Sequence, residues 1–263
     1  MKQSGFTFVE IAIVMIIIGL LIGGIFGGMA MIENGRNNAT IQFMKNVGAA
    51  MSNFRSAYGQ LPGDIVDIEV IPNCDALPCA RPGNGDGRVQ GGGAYSQSGW
   101  STQLGGGYGF HPPSATAYTD IETFVFWQQL LAVDLMSGYS AIANSEFGVG
   151  QPMSPMDLGY RMYHCVGGTS KNISSGRPCG TLTNDYLGNH MNAGSPHGLK
   201  AIPVSTMYVI DLKIDDGMPR QGMFGGFSQG SGSDCSTQDN NLDAPYNFNS
   251  ALGMCQSFYI YNF

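Results

Sequence analysis

Met1-Lys2-Gln3-Ser4-Gly5-Phe6-Thr7-Phe8-Val9-Glu10 opens the chain, and Ile11 to Ile32 follow without one charged residue. That uncharged run alone reaches the roughly 20 residues that carry a helix across a bilayer. Glu10 stands at its head, where a carboxylate in lipid is costly and implies a partner. An ordinary secretory signal fits poorly, because its apolar core is only ~7–15 residues long and ends at a small-residue cleavage site. Here the run is longer, and no Ala-x-Ala directly follows it. A plain membrane anchor would leave Glu10 unexplained.

Gly5-Phe6-Thr7-Phe8-Val9-Glu10, followed by Ile11-Ala12-Ile13-Val14, resembles the class III signal of type IV pilins and type II secretion pseudopilins. The resemblance implies cleavage between Gly5 and Phe6 by a prepilin peptidase, then N-methylation of Phe6. It makes Glu10 the fifth residue of the mature chain. The partners it implies are prepilin peptidase, an inner-membrane assembly platform and other pilin subunits. Looser likenesses to large pilin-like proteins of Gram-negative bacteria run through Tyr58–Asp64, Asn84–Arg88, Glu122–Trp127 and Lys213–Gly217. Physics adds a reason of its own. In a helical filament, staggered subunits bring one Glu10 to another chain's Phe6 amine, and pairing offsets much of the cost of a dry carboxylate. The pair then acts more as a register device than as a source of net stability.

Composition points to an exported, loop-rich domain. Of 263 residues, 12% are charged, about half the usual ~25%, and 39 are glycine, about double the typical ~7% share. The net charge of -7, one unit more negative once Lys2 leaves with the leader, disfavours a nucleic-acid partner. Six cysteines, at 74, 79, 165, 179, 235 and 255, all lie beyond the apolar run. An even set in an oxidising compartment reads as disulfides, with 15 pairings open. Proximity favours Cys74–Cys79, Cys165–Cys179 and Cys235–Cys255. No Cys-x-x-Cys occurs, so zinc-ribbon, thioredoxin-like and covalent-haem readings lack support.

Ile41, Met44, Val47, Met51, Phe54 and Tyr58 step by three or four and predict that the first helix continues as an amphipathic one, ended by Gly59 and Pro62-Gly63. Glycines at 19, 23, 24, 27, 28 and 35 weaken it, and suit close helix packing and local unwinding in a filament. Residues 60–118 read as an irregular region. A second helix is expected from a Thr119–Glu122 capping box to Gly138, with Phe124, Trp127, Leu131 and Leu135 on its apolar face. Strands are expected at Tyr160–Val166, Met207–Ile214, Met223–Phe227 and Phe258–Phe263, with a turn at Asp215-Asp216-Gly217. The expected fold is α+β: a long membrane-spanning helix packed on an antiparallel sheet, with glycine-rich loops and disulfides. The divisions are a leader at 1–5, a membrane and filament-core helix at 6–32, its amphipathic continuation at 33–59 and a globular head at 60–263.

No cofactor is required, and calcium is the candidate ion. Asn84 and Asp86, with Asp64 or Asp67, offer hard oxygens in a glycine turn. Arg88 stands where another ligand belongs and no glutamate closes the loop, so turn chemistry is the stronger reading. Asp234, Asp239, Asn241 and Asp243 form a second oxygen-rich loop beside Cys235. His164, His190, His197 and Ser195 match no zinc or nucleophile pattern, and Asp215 with Asp216 read as solvated turn acids. No catalytic residue is identified. The expected function is that of a filament subunit, held in the inner membrane as a precursor and then exported to a periplasmic or extracellular fibre. A minor pilin or pseudopilin is the alternative within that class. A membrane-anchored periplasmic binding module or enzyme is the alternative outside it.

Overall fold

The computed structural model describes residues 7–76, 79–89, 122–142, 146–165, 177–183, 202–227, 235–238, 241, 243–250 and 253–262. Helix α1 runs unbroken from Phe8 to Tyr58, about 76 Å at ~1.5 Å per residue. The glycines of its first half do not interrupt it, so the local unwinding expected from them is not a feature of the single subunit. Thr7 caps its start, and Gly59 ends it in the left-handed conformation, φ 77°, with its amide on the Arg55 carbonyl at 2.8 Å.

The buried residues of α1 are Asn37, Thr40, Ile41, Met44, Val47, Ala50, Met51 and Phe54. They follow the predicted three–four spacing and extend it one turn toward the N-terminus. This stripe lies against an antiparallel sheet built from β1 (Gly159–Cys165), β2 (Arg177–Thr183), β3 (Ile202–Pro203), β4 (Phe224–Phe227) and β5 (Met254–Ile260), the path running β1-β2-β5-β3 with β4 also on β5. Tyr259 faces Gly180 of β2 and Phe224 of β4, so β5 is a central strand. Phe43 meets Tyr160 edge to face at 5.2 Å. The Tyr261 hydroxyl donates to the Met44 carbonyl at 3.2 Å and lies 2.6 Å from the Tyr160 hydroxyl. Helix and sheet are thus joined by buried aromatic groups whose polar ends are satisfied.

Helix α2 (Glu122–Ala132) is buried from Thr123 to Leu130, and its glutamines pin loops. Gln129 accepts from the Gly63 amide at 2.6 Å, and Gln128 donates to the Gly150 carbonyl at 2.7 Å. The helix stops six residues before Gly138, contrary to expectation. Asp134 adopts φ 57°, its amide bonds the Leu131 carbonyl and the Leu135 amide returns to that of Leu130. An aspartate therefore makes the left-handed end that glycine was expected to supply. Thr119 lies outside the described residues.

One element differs in kind. Val204–Ile214 is helix α3, not the strand expected at Met207–Ile214. Tyr208, Ile210, Leu212 and Ile214 alternate as a strand would, yet the buried set is Val204, Thr206, Met207, Ile210 and Asp211, at helical spacing. Pro203 precedes it in an extended conformation and is the residue before its first turn.

Two disulfides are defined, Cys74–Cys79 and Cys235–Cys255, both as proximity suggested. Cys179 is also disulfide-bonded, and the side chain of Cys165 lies outside the described residues.

Candidate functional site

The candidate site is the first half of α1 and the polar collar where it meets the head. Gly5 and Phe6 precede the described residues. At Thr7 the chain is extended (φ -79°, ψ 151°) and forms a reciprocal capping box with Glu10. Thr7 Oγ1 accepts from the Glu10 amide at 3.3 Å, while Glu10 Oε2 accepts from the Thr7 amide and hydroxyl, each at 2.8 Å. Sequence reasoning missed this second role of Glu10, although Thr-x-x-Glu before an apolar run is its signature. The carboxylate's hydrogen-bonding capacity is partly met within its own chain, and its charge is not.

Between Ile11 and Ile32 the helix has no polar face. Its most apolar 18-residue window has a mean hydropathy of 2.7 and is wholly unburied. Phe8, Leu20, Phe26 and Met31 are each more than two-thirds exposed. A helix apolar on all sides needs an apolar surrounding, either lipid or other helices. Gly19, Gly23, Gly24, Gly27, Gly28 and Gly35 have open space where a Cβ would stand.

The apolar run ends in a collar. Glu33 accepts from the Thr206 hydroxyl at 3.3 Å, and Lys213 donates to Asn38 Oδ1 at 2.9 Å. Arg36 meets Asp157 at 3.1 Å, with both side chains more than half exposed, so the pair contributes only ~0–1 kcal/mol. The collar fixes where the head begins along the shaft more than it stabilises the joint.

In the first calcium candidate, the Asp64 carboxylate sits inside the loop and accepts from the Asp86 and Gly87 amides at 3.0 and 2.9 Å. Burial pushes its carboxyl above the usual range, and the amides of Gly87, Gly85 and Asp86 oppose that. Asn84 Oδ1 accepts from the Asp86 amide and Asp86 Oδ1 from the Arg88 amide, each at 2.9 Å. These oxygens serve amide hydrogens, which is turn chemistry. Asp67 stands apart, its carboxylate accepting from the Glu69 amide at 3.2 Å to start a short 3-10 turn. Asp234 and Asp239 lie outside the described residues, as do His190, Ser195, His197 and the side chain of His164. Asn241 Oδ1 accepts from the Asp243 amide, and Asp243 from Gln221 Nε2, both at 3.0 Å.

A different acidic group comes together instead. Asp211, Asp215 and Asp216 place carboxylate oxygens within 4.8 Å of one another, with Asp215 and Asp216 at the surface as turn acids. Among the described residues these three could hold a cation. Asp211 is fully buried and accepts from the Tyr246 hydroxyl at 2.6 Å and the Gly217 amide at 3.2 Å. Desolvation first, then hydrogen bonding to Asp215, pushes its carboxyl up to about 9, against the opposing hydrogen bond from Tyr246. Asp211 thus holds a proton at neutral pH. Sequence gave no signal for it, because α3 was taken for a strand.

Residues 1–26 match the family model described as the prokaryotic N-terminal methylation motif, the class III signal peptide of type IV pilins and pseudopilins. No curated protein and no solved structure matches the chain.

Proposed function

We propose, with the N-terminal methylation signal as premise, that this chain is a structural subunit of a type IV pilus-like extracellular filament. Prepilin peptidase cuts after Gly5, Phe6 is methylated, and assembly proceeds through the first half of α1. The observation that carries the reading is the joining of this motif to a shaft whose most apolar window is unburied by the head. Such a shaft lies first in the inner membrane, held there for the assembly platform, and then against the shafts of other subunits.

Glu10 sets the register. Its hydrogen bonds to Thr7 lower the cost of placing it in an apolar phase but leave its charge. The methylated amine at a neighbour's Phe6 supplies the countercharge. The head, joined at Glu33–Asn38 and along the stripe to Phe54, then faces outward. No step asks the head for catalysis.

Mass spectrometry of the mature protein tests this. N-methyl-Phe6 is expected; retained Met1, or cleavage beyond residue 25, replaces the filament reading with a membrane-anchored periplasmic protein. Labelling intact fibres then separates a major subunit, found all along them, from a minor pilin or a pseudopilin of a secretion system.

A further inference from the structure

A cavity of about 730 Å³ opens in the head where α1 ends. Arg55 and Gln60 reach it from the end of the helix, Asp64 from the loop beyond, Arg177 from the start of β2, and Tyr261 and Asn262 from the segment after β5. Ligand cavities are typically ~300–1,000 Å³, and this one is lined mostly by polar groups.

Its charge is unusual for the chain. Two guanidinium groups share one cavity in a protein of net charge -7. Arg55 makes no side-chain hydrogen bond or ion pair among the described residues, and Arg177 bonds the side-chain oxygen of Asn262. The one acid in the lining, Asp64, accepts from backbone amides. Arg55 in the last turn of α1 answers the negative end of that helix. Arg177 lies on a strand and answers no helix end. Guanidinium groups with no carboxylate partner among the described residues present planar donor forks suited to an oxyanion. The excess of acids elsewhere repels a long polyanion, and two cations engage few phosphates.

We infer that this cavity binds an acidic saccharide of one or two rings, its carboxylate held by Arg55 and Arg177 and its hydroxyls by the amides of Gln60 and Asn262. The inference is independent of filament assembly, since binding is read on the unassembled chain.

The test is calorimetric titration of the full chain in detergent with D-glucuronate, glucose and inorganic phosphate. Glucuronate is expected to bind, with glucose and phosphate each at least about tenfold weaker; a lost charged hydrogen bond predicts a similar loss in Arg55→Gln and in Arg177→Gln. Melting temperature should fall only slightly in either variant, through the helix-end charge of Arg55 and the Asn262 bond of Arg177. Arg177→Lys, which keeps the charge and loses the fork, should bind more weakly than the wild type and more tightly than the glutamine variant. Absent glucuronate binding, equal affinity for glucose, or wild-type affinity in the arginine variants overturns the inference. Phosphate binding as tight as that of glucuronate overturns the saccharide assignment and leaves a general oxyanion site.

Discussion

The two halves of α1 are one continuous helix and obey opposite rules. From Asn37 to Phe54 one face is buried and its side chains meet the sheet and the other helices. From Phe8 to Ile32 every large apolar side chain is exposed and unsupported by the head, Ile18 being the least exposed of them at 44%. The glycines mark the same division. Where the head is packed they are needed: a Cβ on Gly180 would lie 1.9 Å from the Tyr160 hydroxyl. Along the shaft they meet nothing within 4 Å, yet each costs the helix about 1 kcal/mol relative to alanine. The head's sequence is explained by its own fold, and the shaft's sequence calls for an apolar surrounding outside the chain, lipid or other helices.

The largest expected effect breaks the shaft and leaves the head intact. Glu10→Ala should still be cleaved after Gly5, with fibre yield falling about tenfold or more, as losing a desolvated charge pair predicts. Normal fibre counts by electron microscopy would remove the pairing with Phe6. The reverse experiment breaks the head. Replacing Cys235 and Cys255 by alanine removes the link between β5 and the segment before it. A loss of about 2–4 kcal/mol is expected in denaturant unfolding of the head, with cleavage unchanged.

The glycines sharpen the contrast at one atom. Gly180→Ala should destabilise the head by about 1–3 kcal/mol through overpacking against Tyr160. Gly23→Ala should leave unfolding of the head unchanged, favour the isolated helix by about 1 kcal/mol and lower fibre yield. Equal effects of the two on the head would erase the distinction.

The last effect concerns pH and is read as a slope. Asp211 titrates near 9 in the folded head against about 3.9 when unfolded. The folded state therefore holds more protons between those values, and the stability that this group contributes is lost as pH rises through them. Melting temperature should decline from pH 4 to pH 9. Asp211→Asn should flatten that slope, and an unchanged slope would show that Asp211 does not hold the proton responsible.

The parts legible in the sequence were those with one period and little competition. The stripe from Ile41 to Phe54 could only be helical, and Gly59 followed it. Gly5 to Glu10 carried the N-terminal signal in consecutive residues, although the Thr7–Glu10 capping box within it was missed. Met207–Ile214 was misread as a strand because so short a run can satisfy alternation and helical spacing together, and only the packing partners decide between them. The Asp211 cluster followed from that error. Asp64 was named as a possible calcium ligand; in the fold it accepts from amides more than twenty positions away, and no local pattern announces such a reach.

The bareness of the shaft has a further consequence for traffic. Wetting the side chains from Phe8 to Ile32 at ~1.5–3 kcal/mol each would cost tens of kcal/mol. A subunit of the proposed filament therefore cannot drift through water and then join a growing fibre. In the filament proposed above, each molecule must pass directly from lipid to the base of the polymer, hand to hand, and a dismantled fibre can return its members only to the bilayer.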